Sequence, residues 1–183
     1  MTDQMTQDAR LYLTLTQPHE IDQKFLSMFL NSGGKNRYFR RSGKEFTREE
    51  LIKFCEDGLA HGDVFYYAIR ARDDDQIIGA VRIGPIDFAN SVSDMVTLVG
   101  DVAARGRGLG TEAIQLGNKV AFERHHIRKL HGGLVEHNIG SLKAYTRAGW
   151  HETGRLTDHC LIDGQLADWI IISIFNPNWQ PES

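Results

Sequence analysis

Arg105, Gly106, Arg107, Gly108, Leu109, Gly110 and Thr111 stand where an apolar run ending in Leu98-Val99-Gly100 gives way to a helical pattern. Three glycines at alternate positions let a backbone approach a bulky ligand closely. A helix that begins there leaves its first N–H groups without partners, and its dipole adds positive potential at the same point. Two arginines add charge. The chemistry this favours is the capture of a pyrophosphate. A connector without function would spend conformational entropy on three glycines for no packing return.

The spacing narrows the kind of phosphate ligand. A Walker loop needs Gly-Lys followed by Ser or Thr, which the sequence lacks. A dinucleotide fingerprint needs a third glycine where Thr111 stands. It would also open the chain, whereas here about a hundred residues precede it and too few follow for the remaining strands.

A second group of candidates lies downstream. Tyr145 follows Asn138 by seven residues, so the two share a helical face two turns apart. Spacing alone leaves Tyr145 open between a core residue under the last hairpin and a hydroxyl presented to a ligand. Of the histidines, His125 and His126 are adjacent at a predicted helix end, where the dipole suits a positive charge. No His-x-x-x-His or Cys-x-x-Cys spacing occurs, so no metal site is expected.

The elements that must hold these residues follow from periodicity. Leu11 to Leu15 alternates as a strand. Pro18 opens a helix with Ile21, Phe25 and Met28 on one face, and Thr47-x-x-Glu50 is a capping box for a second helix ending at His61-Gly62. Val64–Arg70 and Ile77–Ile83 flank an acidic turn and predict a hairpin, followed by a strand over Val92–Gly100. After the glycine turn come a helix over Gly108–His125, a strand over Lys129–Glu136 and a helix over Asn138–Ala148. Trp150–Ile162 and Trp169–Phe175 close the chain as a hairpin turned at Asp163-Gly164. The order is β-α-α-β-β-β-α-β-α-β-β, an α/β (α+β) arrangement in one domain spanning 1–183.

Composition excludes other classes. With 183 residues, 41% hydrophobic and 25% charged, the chain can bury an ordinary core. A net charge of −3 argues against nucleic acid or an anionic membrane as partner. The polar N-terminus lacks a signal-type apolar core, and Cys55 and Cys160 are expected as reduced thiols. A cytoplasmic protein is the expectation.

Arg105-x-x-Gly108-x-Gly110 resembles the Arg/Gln-x-x-Gly-x-Gly/Ala signature of the GNAT acetyltransferases. Asn138-Ile-Gly-Ser141-Leu-Lys-Ala-Tyr145-Thr-Arg-Ala-Gly149-Trp150 is similar to the family segment that closes over coenzyme A. Leu98-Val-Gly-Asp101 and His159-x-x-x-Asp163-Gly164-x-x-x-Asp168 resemble the RimJ/RimL-like branch. The resemblance implies a mixed central sheet of about seven strands with flanking helices, and an N-acetyltransferase using acetyl-CoA. It implies that Leu98, Val99 and Gly100 pair with the pantetheine arm through their backbones. It assigns the pyrophosphate to the turn at Arg105, Gly106, Arg107, Gly108, Leu109, Gly110 and Thr111. It gives Asn138 and Ser141 contacts to the cofactor, and Tyr145 the proton for the departing sulfur.

The resemblance leaves the base open. Gly133 stands where some members carry a glutamate, five residues before Asn138. His131, Glu136, His159, Asp168 or ordered water are the candidates. For the acceptor, the stretch Asn31–Lys44 carries Lys35, Arg37, Arg40, Arg41 and Lys44 with Tyr38 and Phe39. Such a loop suits a phosphorylated amine such as a nucleotide-linked amino sugar. A protein N-terminus, a small amine or antibiotic, and a non-catalytic acyl-CoA sensor are the alternatives, and a homodimer is left open.

Overall fold

Alternating patterns place seven strands: β1 Leu11–Leu15, β2 Phe65–Ala71, β3 Ile77–Asp87, β4 Val92–Val99, β5 Lys129–Val135, β6 His151–Ile162 and β7 Gln165–Phe175. Four helices join them: α1 Gln23–Leu30, α2 Arg48–His61, α3 Leu109–Arg124 and α4 Ile139–Arg147. The structure, a computed structural model, describes residues 9–30, 47–100 and 107–181. Arg105, Gly106 and the basic stretch Asn31–Lys44 lie outside the described residues. The element order is the expected one.

Local chemistry accounts for the ends. Thr47 accepts from the Glu50 N–H at 3.1 Å and Glu50 returns a bond to the Thr47 N–H at 2.9 Å, which completes the capping box of α2. Gly62, at φ 71°, terminates it. Pro18 starts only a short 3₁₀ turn, Pro18–Glu20, and not a continuous helix. Ile21 then leaves helical geometry to enter the core, and Asp22 caps α1 afresh by accepting from the Phe25 N–H at 2.7 Å. β7 begins at Gln165 and not at Trp169. Asp163 and Gly164 both have positive φ, so their two-residue turn sets Ile162 directly opposite Gln165.

The strands form one sheet in the order β1-β2-β3-β4-β5-β7-β6. All neighbours are antiparallel except β4 and β5. Side chains alternate between its faces. Tyr67, Ile69, Val81, Ile83 and Met95 join Ala113, Ile114, Tyr145 and Trp150 in a core beneath α3 and α4. Tyr66, Ala68 and Ala80 face the other way, against Phe25, Leu26, Leu51 and Cys55 of α1 and α2.

The parallel pair is short. β4 and β5 are matched only from Val92↔Lys129 to Asp94↔His131. Beyond that point β4 stays with β3 as far as Gly79↔Val99, while β5 stays with β7 as far as Val135↔Trp169. A wedge therefore opens in the middle of the sheet, with Asp94 and His131 at its closed end.

Candidate active site

The wedge leaves backbone groups of β4 without a strand to pair with. Antiparallel pairing alternates these groups between the two sides of a strand. The Gly100 N–H is committed to the Ile78 carbonyl at 2.9 Å, on the β3 side. Leu98 has the same parity and is opposite Ala80. Of the trio Leu98, Val99 and Gly100, it is Val99 whose N–H and C=O face the wedge. Thr97, two residues earlier, faces it too.

Tyr145 fills part of that space. It projects from α4, buried, and meets the Trp150 ring edge-on at 4.9 Å. Trp150 is fixed in turn, because its Nε1 donates to Asn118 Oδ1 at 3.0 Å. Asn118 Nδ2 then donates to the Ala148 carbonyl at 3.2 Å. The Tyr145 hydroxyl accepts from the Thr97 N–H at 3.1 Å, so its own proton remains to be given elsewhere. Burial pushes its pKa up to about 12; hydrogen bonding from Thr97 offsets part of that shift, and the charges of Asp94 and Arg82 act in opposite directions. Tyr145 is thus both a core residue and a protonated hydroxyl at the wedge.

At the open end of the wedge stands the N-terminus of α3. Gly108 is its N-cap residue at φ 78°, a left-handed conformation that favours glycine. The N–H groups of Leu109, Gly110 and Thr111 precede the first full helical turn and have no intrahelical acceptor. Among the described residues a Cβ placed on Gly108 would meet only Arg10 Nη2, at 3.7 Å. Gly110 lies close to α4, with Ala144 Cβ at 3.9 Å from a Cβ built there.

Arg10 clasps the turn from a distant part of the chain. Its Nη1 donates to the Arg107 carbonyl at 2.8 Å, and its Nη2 pairs with Glu112 Oε2 at 2.9 Å. The Leu11 N–H donates to the other Glu112 oxygen at 2.9 Å. A carboxylate in the first turn suits the helix but opposes a bound anion, and these bonds neutralise it. No sequence motif marks Arg10; only the fold brings it here.

Asn138 is the N-cap of α4, where its Oδ1 accepts from the Ser141 N–H at 3.4 Å. Both residues border the wedge at the end of β5. Thr97 Oγ1 is buried and, among the described residues, has no hydrogen-bond partner. An orphaned hydroxyl, open donors on β4 and α3, and the turn at Gly108 fit one extended ligand. That ligand carries a diphosphate at one end and an amide-bearing arm at the other, as a coenzyme A thioester does.

The candidate bases separate sharply. Asp168 accepts from the Asp158 N–H at 3.0 Å and from Arg155 Nη1 at 3.0 Å, which hold its carboxyl below the usual range. Glu136 joins the same network through Arg155 and the Asp168 N–H. Both therefore brace the β6–β7 hairpin. His125, expected to bear charge at a helix end, instead lies half-buried on Phe65 with ring centroids 4.2 Å apart and bonds the Tyr67 hydroxyl at 2.8 Å. Burial first, then Arg124 and His126, lower its pKa, which favours the neutral ring. His159 tilts toward Trp169. His131, beside Asp94, and ordered water remain.

Two features had no signal in the sequence. Arg82 of β3 is ion-paired with Asp94 of β4 on the face opposite α3. Trp169 lies over Gly133, and any Cβ at Gly133 would overlap its indole. The indole thus takes the space that a side chain at Gly133 would use. Among the described residues no group of three or more His, Cys, Asp or Glu could hold a metal ion, and no helix is long and apolar enough to cross a membrane.

Comparison with known proteins fits this geometry. A probable N-acetyltransferase of Bacillus subtilis, YjcK, is 26% identical over 134 residues, 73% of this chain and 74% of that protein. The ribosomal protein uS5-alanine N-acetyltransferase of Escherichia coli is 25% identical over 120 residues, 66% of this chain and 62% of that protein. Among solved structures, a Vibrio cholerae spermidine N-acetyltransferase in complex with CoA and spermine superimposes with a TM-score of 0.80 at 15% identity. That match covers 92% of this chain and 96% of the other. A ribosomal-protein-S5-alanine acetyltransferase from Vibrio fischeri gives 0.72 at 20% identity, over 94% and 96%. At such identities these two establish the fold alone. The family model described as an acetyltransferase (GNAT) domain matches residues 10–151, and the chain belongs to that family of acetyl-CoA-dependent N-acetyltransferases.

Proposed function

We propose that this chain transfers the acetyl group of acetyl-CoA to a primary amine by direct attack in a ternary complex. The observation that carries it is the buried Tyr145 hydroxyl, bonded to the Thr97 N–H inside the wedge, with its proton unspent. The cosubstrate supplies an activated acyl carbon and a thiolate leaving group. Leu109, Gly110 and Thr111 hold its diphosphate through backbone N–H groups, with Gly108 keeping the approach clear; Arg107, and in the sequence Arg105 and Gly106, belong to the same cofactor-binding motif. Val99 pairs with the arm as a further strand would, flanked by Leu98 and Gly100. Asn138 and Ser141 close over it from α4. Tyr145 gives its proton to the departing sulfur.

The acceptor we favour is a phosphorylated amine, such as a nucleotide-linked amino sugar, because of the five positive charges and two aromatic residues in Asn31–Lys44. A second acceptor, an alanine at a protein N-terminus, is favoured by the match to the E. coli enzyme. We place the enzyme in the cytoplasm as a single-domain chain. The test is thiol release from acetyl-CoA across amino-sugar nucleotides, alanyl peptides, polyamines and aminoglycosides. Release with the nucleotide sugars alone supports the first acceptor and release with peptides alone the second. Calorimetric acetyl-CoA binding with no release from any amine would overturn transfer to these classes.

A further inference from the structure

The sheet face opposite α3 and α4 carries a polar row at the closed end of the wedge. Met95 and Leu130 point into the core beneath α3, so Asp94 and His131, of opposite parity, point to the other face. They are register partners and the last matched pair before the strands part. Neighbouring strands run about 5 Å apart, so side chains paired across them on one face are within reach of one shared ligand. The Arg82 guanidinium holds Asp94 Oδ2, and both side chains keep about a quarter of their surface open, at 28% and 27%. Trp169, over Gly133, walls the same face one pleat further along β5.

We propose that the acceptor ammonium docks between Asp94 and His131 and that His131 takes its proton. This rests on the acetyltransferase reading above. The placement follows from the direction of the wedge. The diphosphate end enters at α3, so the thioester end reaches toward the closed end, past Tyr145 at Thr97 and up to Asp94 and His131. The amine arrives from the opposite face, where, among the described residues, α1 and α2 pack on Tyr66, Ala68 and Ala80 of β2 and β3. Asp94 attracts the ammonium. His131 removes one proton, the freed lone pair forms the C–N bond, and the C–S bond breaks. The sulfur takes the Tyr145 proton, and the second nitrogen proton restores the phenol. His131, half-exposed, returns its proton to water, so one proton is released per turnover. Arg82 is a positioning residue that fixes the Asp94 carboxylate.

Other titratable groups flank His131. Lys129 lies two residues away on its own strand, over the Phe175 ring. His151 of β6 stacks on Phe175, and His159 of β6 lies beyond Trp169. None is a register partner of both strands that line the wedge.

The test uses propylamine, a small amine that needs no acceptor-specific contacts. In protein loaded with CoA, where no transfer can occur, the His131 imidazole NMR signals should shift on titration with propylamine. They should not shift in Asp94→Asn. With acetyl-CoA, His131→Gln should lower kcat/KM for propylamine about a hundredfold at neutral pH, and Asp94→Asn about tenfold. The His131→Gln deficit should shrink as pH rises and the amine loses its proton unaided. Calorimetric acetyl-CoA affinity should be unchanged in both variants. A silent His131 signal in the wild-type protein, or a deficit equal at every pH, would overturn the proposal. Loss of acetyl-CoA binding in the wild-type protein would instead overturn the acetyltransferase reading.

Discussion

β5 has two unlike sides. Toward β7 it is matched along its whole length, from Lys129↔Phe175 to Val135↔Trp169. Toward β4 it is matched only to Asp94↔His131. The β7 side is a closed ladder whose residues serve the core. The β4 side leaves backbone donors, an orphaned threonine hydroxyl and a tyrosine proton in a gap. Stability and function are thus divided between the two edges of one strand, and substitutions should sort accordingly.

The sharpest way to break the closed side is Gly133→Ala. The added methyl would overlap the Trp169 indole, so the strand or the ring must move. A loss of about 3 kcal/mol is expected, at the upper end for overpacking, read by urea denaturation. On the open side, Gly108→Asp adds a side chain at φ 78° and a negative charge in the diphosphate path. It should weaken acetyl-CoA binding by about a hundredfold in calorimetry, with the fold retained. Unchanged affinity would remove the turn from the cofactor site.

Tyr145→Phe keeps the packing on Trp150 and deletes only the hydroxyl. It should lower kcat by about tenfold to a hundredfold while acetyl-CoA affinity stays within about twofold. Undiminished turnover would leave Tyr145 with a core role alone. Because burial raises its pKa to about 12, the folded protein holds this proton more tightly than the unfolded chain does. The stability it contributes is therefore complete below pH 10, the ordinary tyrosine value, and is lost as pH rises from there toward 12. Tyr145→Phe should flatten the fall in unfolding free energy over that window. The smallest effect is expected at Cys55, which burial, with Glu56 and Glu20, pushes up to about 11. A thiol reagent should label Cys55 slowly in the native state at neutral pH and fast in urea.

Much of the scaffold around the wedge was legible in the sequence. Alternation in Leu11–Leu15 and Ile77–Ile83, the Thr47–Glu50 box and the Asp163-Gly164 turn are local signals, and each element stands where its signal lies. Gln165–Asp168 was missed as strand because its apolar residues make no stripe: Leu166 is exposed, and only the small Ala167 turns inward. The open side was legible only where a motif is contiguous, as from Gly108 to Thr111 and from Asn138 to Tyr145. Asp94, Arg82 and Trp169 carry no local pattern, since their neighbourhood is made by cross-strand register. Arg10 is the extreme case: its partner Glu112 is 102 residues away.

That last contact has a kinetic consequence. The first strand meets the first turn of α3 only after a loop of about a hundred residues has closed, an ordering cost that local contacts do not repay. The edge strand β1 is held on one side only, by β2. Cofactor competence should then appear late in refolding, after most helical signal has returned. An N-terminal truncation past Arg10 should yield a protein that still looks folded by circular dichroism yet grips its cosubstrate poorly. In this architecture the chain's opening residues act as the latch on a site built by its middle.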